Sequence, residues 1–265
     1  ELVIAGRRIA DDEPAYVVAA LGGTHNGCVE TAKALIATAA RAGADSIKFQ
    51  RRTLETLYSQ ALLNQPYDNE NSYGPTYGAH RKALEFDYDQ YLCLQHVARA
   101  HRLTCFATAF DEEAVDFLMD LEMPALKVHS GGLTDLPLLK RCASAGVPVL
   151  LSTGGGTIED IDRAHATLRN CPHAILHCTA AYPLQPAEAN LRMVTTLRQR
   201  YPETVIGFSS HSPGIAFSLI AYAFGARIIE QHVTLNRASK GTDHAYALEP
   251  KGLETLCDDL KKLQV

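Results

Sequence analysis

Two apolar rhythms alternate along this chain. Stretches with an apolar residue every three or four positions predict amphipathic helices at 29–42, 87–101, 111–121, 136–145, 157–169, 187–200, 213–224 and 251–263. Between them fall short, nearly continuous apolar runs, which predict strands at 16–21, 46–50, 104–109, 125–129, 148–152, 174–178, 205–209 and 227–232. A glycine stop marks several helix-to-strand joins, as in Ala42-Gly43-Ala44, Ala145-Gly146-Val147 and Phe224-Gly225-Ala226. Capping residues open others, as in Asp111-Glu112-Glu113 and Thr157-Ile158-Glu159-Asp160.

Strict alternation of strand and helix implies a parallel sheet. Eight such units within 265 residues predict a closed (β/α)8 barrel, one catalytic domain over 1–265, rather than an open doubly wound sheet. No glycine-rich nucleotide-binding fingerprint follows any of the strands. Residues 51–86 interrupt the rhythm. They are rich in Tyr, Asn, Gln and Pro, and are expected to form a long loop either covering the catalytic face or running over the surface.

Side chains alternate between the two faces of a strand. Lys48 and Gln50 therefore share a face, as do Lys127 and His129, Ser209 and His211, and Glu230 and His232, while Thr108 ends its own strand. A barrel interior is normally filled by Val, Ile and Leu. An unpaired charge buried among such residues would be costly, so this polar set is expected to face a ligand or metal. His211 and His232 close neighbouring strands, roughly 4.8 Å apart in such a sheet. They form a candidate pair for one divalent ion, with Mn2+, Mg2+, Co2+ and Zn2+ all compatible with imidazole and oxygen donors. Lys48, Lys127 and the turn Ser152-Thr153-Gly154-Gly155-Gly156-Thr157 before a helix suit a phosphate. His80, His96, His101, His165 and His173 fall in helices or loops and read as ordinary structural groups, while His177 inside a strand is ambiguous.

Composition narrows the classes. Apolar residues make up 46% of the chain, yet no uninterrupted apolar stretch approaches the ~20 residues of a membrane span. The first residues lack the basic-then-apolar order of a secretory leader. A net charge of −5 with scattered Lys and Arg argues against nucleic acid. Seven cysteines without CxxC spacing read as reduced thiols, mostly buried, and suggest a cytoplasmic location.

Several segments together resemble the N-acetylneuraminate (sialic acid) synthase family, which condenses phosphoenolpyruvate with an open-chain amino sugar. They are residues 19–27 (AALGGTHNG), 42–50 (AGADSIKFQ), 150–154 (LLSTG), 176–179 (LHCT) with Tyr182-Pro183, 206–211 (IGFSSH), 229–234 (IEQHVT) and 241–245 (GTDHA). The resemblance implies that His211 and His232 bind the metal, most commonly Mn2+. It implies that Lys48, Gln50, Thr108, Lys127, Ser130, Ser152, Gly154, Tyr182 and Ser209 line the phosphoenolpyruvate site. Asp243 and His25 fall on the acceptor side, and Glu230 matches the carboxylate that acts on the attacking water. Lys127 would offset charge during the reaction. Soluble small-molecule substrates and a homodimer are likewise implied.

The sequence also departs from the family pattern. Ala20 stands where a glutamate is usual, and Thr24 where an asparagine is. The fourth strand runs Lys127-Val128-His129-Ser130-Gly131-Gly132 without the usual carboxylate, and His129 is expected to replace part of that acid's role. Ser210 and Gln231 replace an acidic and a basic residue. The family's C-terminal antifreeze-like domain is not expected within these 265 residues. The anion and metal positions are kept and the sugar-contacting ones are lost, which predicts a condensing synthase with an altered acceptor. The alternatives are a weakened homologue that binds phosphoenolpyruvate or metal without turnover, and a metal-dependent aldolase that does not use phosphoenolpyruvate.

Overall fold

The short apolar runs close on themselves. In the computed structural model, which describes residues 1–263, strands β3 (Tyr16–Ala20), β4 (Ser46–Arg51), β5 (Thr104–Ala109), β6 (Leu126–Val128), β7 (Val149–Ser152), β8 (His173–Cys178), β9 (Val205–Ser210) and β10 (Ile228–His232) pair in parallel. The order is sequential and β10 returns to β3, so the sheet is a closed barrel. Around it lie α1 (Val29–Ala42), α5 (Tyr88–Ala100), α6 (Glu112–Asp120), α7 (Leu136–Ala143), α8 (Ile158–Leu168), α9 (Met193–Arg200), α10 (Ala216–Ala223) and α11 (Pro250–Lys262). Three short helices, α2 (Leu54–Leu57), α3 (Gln60–Leu63) and α4 (Tyr77–Lys82), fall within residues 51–86. That segment is therefore folded rather than a plain loop.

Two apolar layers hold the molecule. Alternate strand residues such as Val17, Ile47, Phe49, Val128, Leu151, Ile206 and Ile229 pack outward against the helices. Their neighbours Tyr16, Val18, Phe106, Leu150, Leu176 and Ile228 pack inward and fill the lower barrel. A hairpin of β1 (Leu2–Ile4) and β2 (Arg7–Ile9) adds Leu2, Ile4 and Ile9 to that inner cluster and so plugs the N-terminal mouth. Following the inward parity up each strand turns apolar into polar. Val18 leads to Ala20, Ser46 to Lys48 and Gln50, Phe106 to Thr108, Leu150 to Ser152, and Ile228 to Glu230 and His232. The chemistry sits at the C-terminal mouth, above a dry floor.

The expected helix at 187–200 is shorter in the structure. A 3-10 turn occupies Pro186–Glu188, Asn190 has a φ of 45°, and α9 starts only at Met193. A residue with positive φ cannot continue a right-handed helix. Gly43 ends α1 as predicted, in the left-handed conformation at φ 84°. None of the described helices is long and apolar enough to cross a membrane, and the seven cysteines are free thiols, five of them buried.

Candidate active site

At the barrel mouth lies a cavity of about 690 Å³. Every residue assigned a catalytic, substrate-binding or metal-binding place from the sequence contributes to its wall. Lys48, Gln50, Thr108, Lys127, His129, Ser130, Ser152 and Gly154 line one side, with His25, Tyr182, Ser209, His211, Glu230, His232 and Asp243.

The centre is a buried charge cluster. Lys48 Nζ donates to Glu230 Oε1 at 3.0 Å, Lys127 Nζ lies 3.3 Å from the same oxygen, and Ser209 Oγ donates to it at 2.9 Å. Lys127 also donates to Ser152 Oγ at 2.7 Å. Donors from three strands thus converge on one carboxylate oxygen carried by a fourth, while Glu230 Oε2 is buried without a partner. Burial alone would raise the Glu230 pKa. The nearby charges of Lys127 and Lys48, with hydrogen bonds from Lys48 and Ser209, outweigh it and hold the carboxyl far below the usual range. Burial pushes the Lys48 ammonium down to about 8 against the pull of Glu230. Two cations share one anion, so the cluster carries spare positive charge for an incoming anion.

His211 and His232 face each other across the mouth, with ring centroids 5.6 Å apart. Burial, followed by the neighbouring ring, pushes His211 down to about 4, and burial likewise lowers His232, so both imidazoles are neutral near pH 7. His211 Nδ1 lies 3.0 Å from the Thr179 carbonyl, which can only accept. The proton is therefore on Nδ1 and Nε2 keeps its lone pair, as in a ligating histidine. His232 Nδ1 is buried without a hydrogen-bond partner. Asp243 Oδ2 is 3.8 Å from it, too long for a hydrogen bond, and the neutral ring makes no ion pair. The centroid spacing is compatible with one ion ~2.1 Å from a nitrogen of each ring. Among the described residues no group of three or more His, Cys, Asp or Glu is arranged to hold a metal. A metal here would take its other ligands from substrate or water, the arrangement of an open site. Tyr182 packs on His211 at 4.1 Å and Tyr246 lies 5.2 Å from the His232 ring, so aromatic walls flank the pair.

Glycines make room for the polar side chains. A Cβ at Gly22 would sit 2.4 Å from Gln50 Cγ, and one at Gly23 would sit 2.6 Å from Asp243 Oδ2. His25 is buried, stacked on Phe86 at 4.3 Å, and its Nδ1 accepts from the Gly27 amide at 3.0 Å. Burial pushes its pKa down to about 4. His129 stacks on Phe110 at 4.1 Å with its Nδ1 buried and unpaired, and burial with the Lys127 charge pushes it down to about 3. It is a neutral group, so it replaces no carboxylate charge. Thr108 Oγ1 is also buried without a partner, and it lies beside Lys127 in register.

The glycine turn differs from its expectation. The Gly154 amide donates to Ser130 Oγ at 3.0 Å, and Thr157 and Asp160 close the first turn of α8 in a capping box. With Glu159 and Asp160 there, the helix end is already supplied with negative charge. Any phosphate is left to Lys48, Lys127 and the strand-end hydroxyls.

Sequence reasoning missed part of the wall. Arg52, Asn71, Tyr73, His80, Arg81 and Tyr246 also line the cavity. Arg52 lies two residues after Gln50, so strand parity could have placed it. Asn71, Tyr73, His80 and Arg81 come from the 51–86 segment, where no periodic signal exists. His80, read as a structural group, is buried in this wall and packs against Tyr67 at 4.5 Å. His177 points outward to the helices, its Nε2 donating to the Ala189 carbonyl at 2.9 Å.

The NeuB family model matches residues 35–265. The chain is 38% identical over 261 residues to the N-acetylneuraminate-9-phosphate synthase of Mus musculus, covering 98% of this chain and 73% of that protein. It is 30% identical over 256 residues to the N,N'-diacetyllegionaminic acid synthase of Legionella pneumophila, covering 93% and 71%. Among solved structures, the N-acetylneuraminic acid (sialic acid) synthetase from Leptospira borgpetersenii serovar Hardjo-bovis, in complex with citrate, superposes with a TM-score of 0.90 at 30% identity, covering 99% of this chain and 88% of that one.

Proposed function

The chain belongs to the NeuB family, and on that premise we propose that it is a condensing synthase joining phosphoenolpyruvate to an open-chain amino sugar or related aldehyde, with release of inorganic phosphate. The observation that carries this reading is the Lys48–Glu230–Lys127 cluster beside a pair of neutral imidazoles in one barrel mouth. Two buried ammonium groups with a single counter-charge suit the phosphate and carboxylate of phosphoenolpyruvate. Thr108, Ser130, Ser152 and Ser209 supply hydroxyls around them. The acceptor's polar groups would meet Gln50, His25 and Asp243, with His129 as a neutral donor or acceptor at the edge.

His211 and His232 would hold a divalent ion, Mn2+ by family resemblance, and its chemistry is Lewis-acid polarisation of the acceptor's carbonyl. In the reaction, C3 of phosphoenolpyruvate bonds to the aldehyde carbon, the aldehyde oxygen takes a proton, and C2 becomes electron-poor. Water adds to C2 and passes a proton to Glu230. The C2–O bond to phosphate then breaks as the new C2 hydroxyl gives its proton to the departing phosphate, leaving a 2-keto acid and inorganic phosphate. Lys48 and Lys127 move from Glu230 toward the phosphate as it binds, which frees Glu230 to act as a base. Once seated on the phosphate, cations in a water-poor mouth stabilise the charge that develops during the chemical steps.

The test is phosphate release from phosphoenolpyruvate with Mn2+ across a panel of aldoses and amino sugars, with mass spectrometry of the product. A product heavier than the acceptor by the pyruvate skeleton supports the reading. Absence of phosphate release with every acceptor, alongside intact phosphoenolpyruvate binding, sinks it in favour of a binding protein. Carbon–carbon bond formation without phosphoenolpyruvate would point to an aldolase.

A further inference from the structure

Arg52, the first residue beyond β4, is a buried arginine in the cavity wall, and its fork engages two side chains at once. Nη1 donates to Glu85 Oε1 at 3.0 Å, and the other Glu85 oxygen accepts from the Arg52 amide at 3.1 Å. Nη2 donates to Gln50 Oε1. The guanidinium also lies 3.8 Å from the Phe110 ring centroid, and Phe110 in turn stacks on His129 at 4.1 Å. The ends of three successive barrel strands are thereby tied to one planar group.

Glu85 meets the charge of Arg52, so what Gln50 receives from it is orientation. A guanidinium has donors only, and the Gln50 atom that faces it must be the carbonyl oxygen. Nε2 is the opposite end of the carboxamide, and it lies beside Gly22, where an added Cβ would sit 2.8 Å from it. An added Cβ on the next glycine, Gly23, would sit 2.6 Å from Asp243 Oδ2. Two successive residues without side chains thus leave room in the wall for a neutral N–H donor and a carboxylate. The backbone below is fixed as well, since Tyr91 OH donates to the Gln50 carbonyl at 2.7 Å. Among the described residues nothing accepts from Gln50 Nε2. A carboxamide free to turn about its last bond would offer oxygen as readily as nitrogen.

We propose that Arg52 is a positioning residue for the sugar acceptor: held by Glu85, it locks the Gln50 carboxamide with Nε2 toward the mouth, as a donor to a sugar hydroxyl or amide carbonyl oxygen. This rests on the synthase reading and adds the residue that orients one of its acceptor contacts. Phe110 and His129, stacked in series on the same guanidinium, stiffen that side of the wall. A neutral donor to an oxygen away from the reacting carbon contributes equally before and during the chemical step, so its loss falls on the sugar KM rather than on kcat.

The experiment follows phosphate release with phosphoenolpyruvate, Mn2+ and an N-acetylated aminohexose. It compares the native protein with Gln50→Met, Arg52→Lys, the double variant Arg52→Met/Glu85→Gln, and each Arg52 change combined with Gln50→Met. The double variant removes both charges together, so neither is left buried alone. Gln50→Met should raise the sugar KM by about 5- to 10-fold, the size of one neutral hydrogen bond, with kcat and the KM for phosphoenolpyruvate within about two-fold. The double variant should raise the sugar KM by about 3- to 5-fold, and Arg52→Lys, whose ammonium lacks the fork, by about two-fold. On top of Gln50→Met the Arg52 changes should add no further loss, because Arg52 acts through Gln50. A merely structural role predicts instead that the losses multiply and that both KM values and kcat shift together. Arg52→Lys keeps a cation opposite Glu85 and gives the answer if the double variant does not fold. Multiplying losses, or a native sugar KM in Gln50→Met and Arg52→Lys, overturn the positioning role. If no protein, the native one included, releases phosphate, the synthase reading fails by itself. Calorimetric titration of the corresponding alditol, which has no aldehyde and cannot react, then decides for Arg52. Weaker alditol binding in Gln50→Met and in the double variant, without a further loss when the two are combined, supports the positioning role. Equal behaviour of all the proteins, absence of binding included, overturns it.

Discussion

Replacing Glu230 by Gln keeps the shape of the barrel mouth and removes one charge. The amide oxygen can still accept from Lys48, Lys127 and Ser209, which contact Glu230 Oε1 at 3.0, 3.3 and 2.9 Å. The two ammonium groups, however, lose their counter-ion in a buried setting. Removing one partner of a buried ion pair costs about 3–5 kcal/mol. Lys48 relieves part of this cost, because its pKa, already pushed down to about 8, falls further once the carboxylate is gone and it sheds its proton near neutrality. The lower end of the range, about 3 kcal/mol, is expected. For a chain of this length each kcal/mol shifts the midpoint by about 2–4 °C, so Tm should fall by about 6–12 °C. Phosphoenolpyruvate should behave oppositely. In the native protein it must displace Glu230 from both lysines, whereas in Glu230→Gln it becomes their only counter-charge. The variant should bind phosphoenolpyruvate more tightly and gain more Tm from saturating ligand, about 1.4 kcal/mol for each tenfold gain in affinity. Turnover should fall by about 10²–10⁴, as for loss of a general base. Circular dichroism melts with and without phosphoenolpyruvate, together with calorimetry, decide the matter. A variant that melts within about 2 °C of the native protein and binds phosphoenolpyruvate no better would refute the shared counter-charge.

Three further outcomes follow from the same geometry. Phosphoenolpyruvate affinity should decline as pH rises through about 8, because Lys48 loses its proton there; burial of that charge disfavours the fold in full below about 8, and the penalty shrinks as pH rises from about 8 toward the ordinary lysine value of 10.5. Kd measured from pH 6.5 to 9.5 should bend in that interval, and Lys48→Met should flatten the bend. His232→Ala should reduce retained Mn2+ by at least ten-fold in equilibrium dialysis followed by elemental analysis, since it leaves His211 alone at the mouth; undiminished retention would place the ion elsewhere. Gly27→Ala should destabilise by more than about 2 kcal/mol in denaturant titration, because Gly27 has a φ of 71° and its Cβ would lie 1.9 Å from the Ala83 carbonyl oxygen. That contact ties the loop after β3 to the end of the 51–86 segment.

The barrel was legible because its strands are buried on both faces and read as nearly unbroken apolar runs, interrupted only where they carry chemistry. Strand ends such as Ile47-Lys48-Phe49-Gln50 and Ile229-Glu230-Gln231-His232 break that pattern with inward parity, and this was enough to bring Lys48, Lys127, Glu230 and both histidines together. The N-terminal hairpin was not legible. Its strands are three residues each, too short for alternation to register, and its turn runs through Ala5 at φ 48° and Gly6 rather than an Asn-Gly pair. The short start of α9 was missed because the apolar spacing at 187–200 continues through Asn190, whose backbone the pattern does not report. Arg81 was out of reach for another reason. It lies on a six-residue helix in a segment without periodicity, and the segment is held at the mouth by long-range contacts such as that between Asn71 and Gly241, 170 positions apart.

Ala20 bears on the charge of the inner site. It pairs in register with His232 on one side and Lys48 on the other, and it shares the inward parity of Tyr16 and Val18. A glutamate at this place, the residue the family resemblance leads one to expect, would offer Lys48 a second carboxylate and a polar contact for the acceptor. With alanine there, Glu230 is the one carboxylate within 4.0 Å of Lys48 and Lys127 among the described residues. The inner site is therefore more positive than the family pattern would make it, which, on the proposed function, favours anion binding at some cost to recognition of the acceptor near its reacting end.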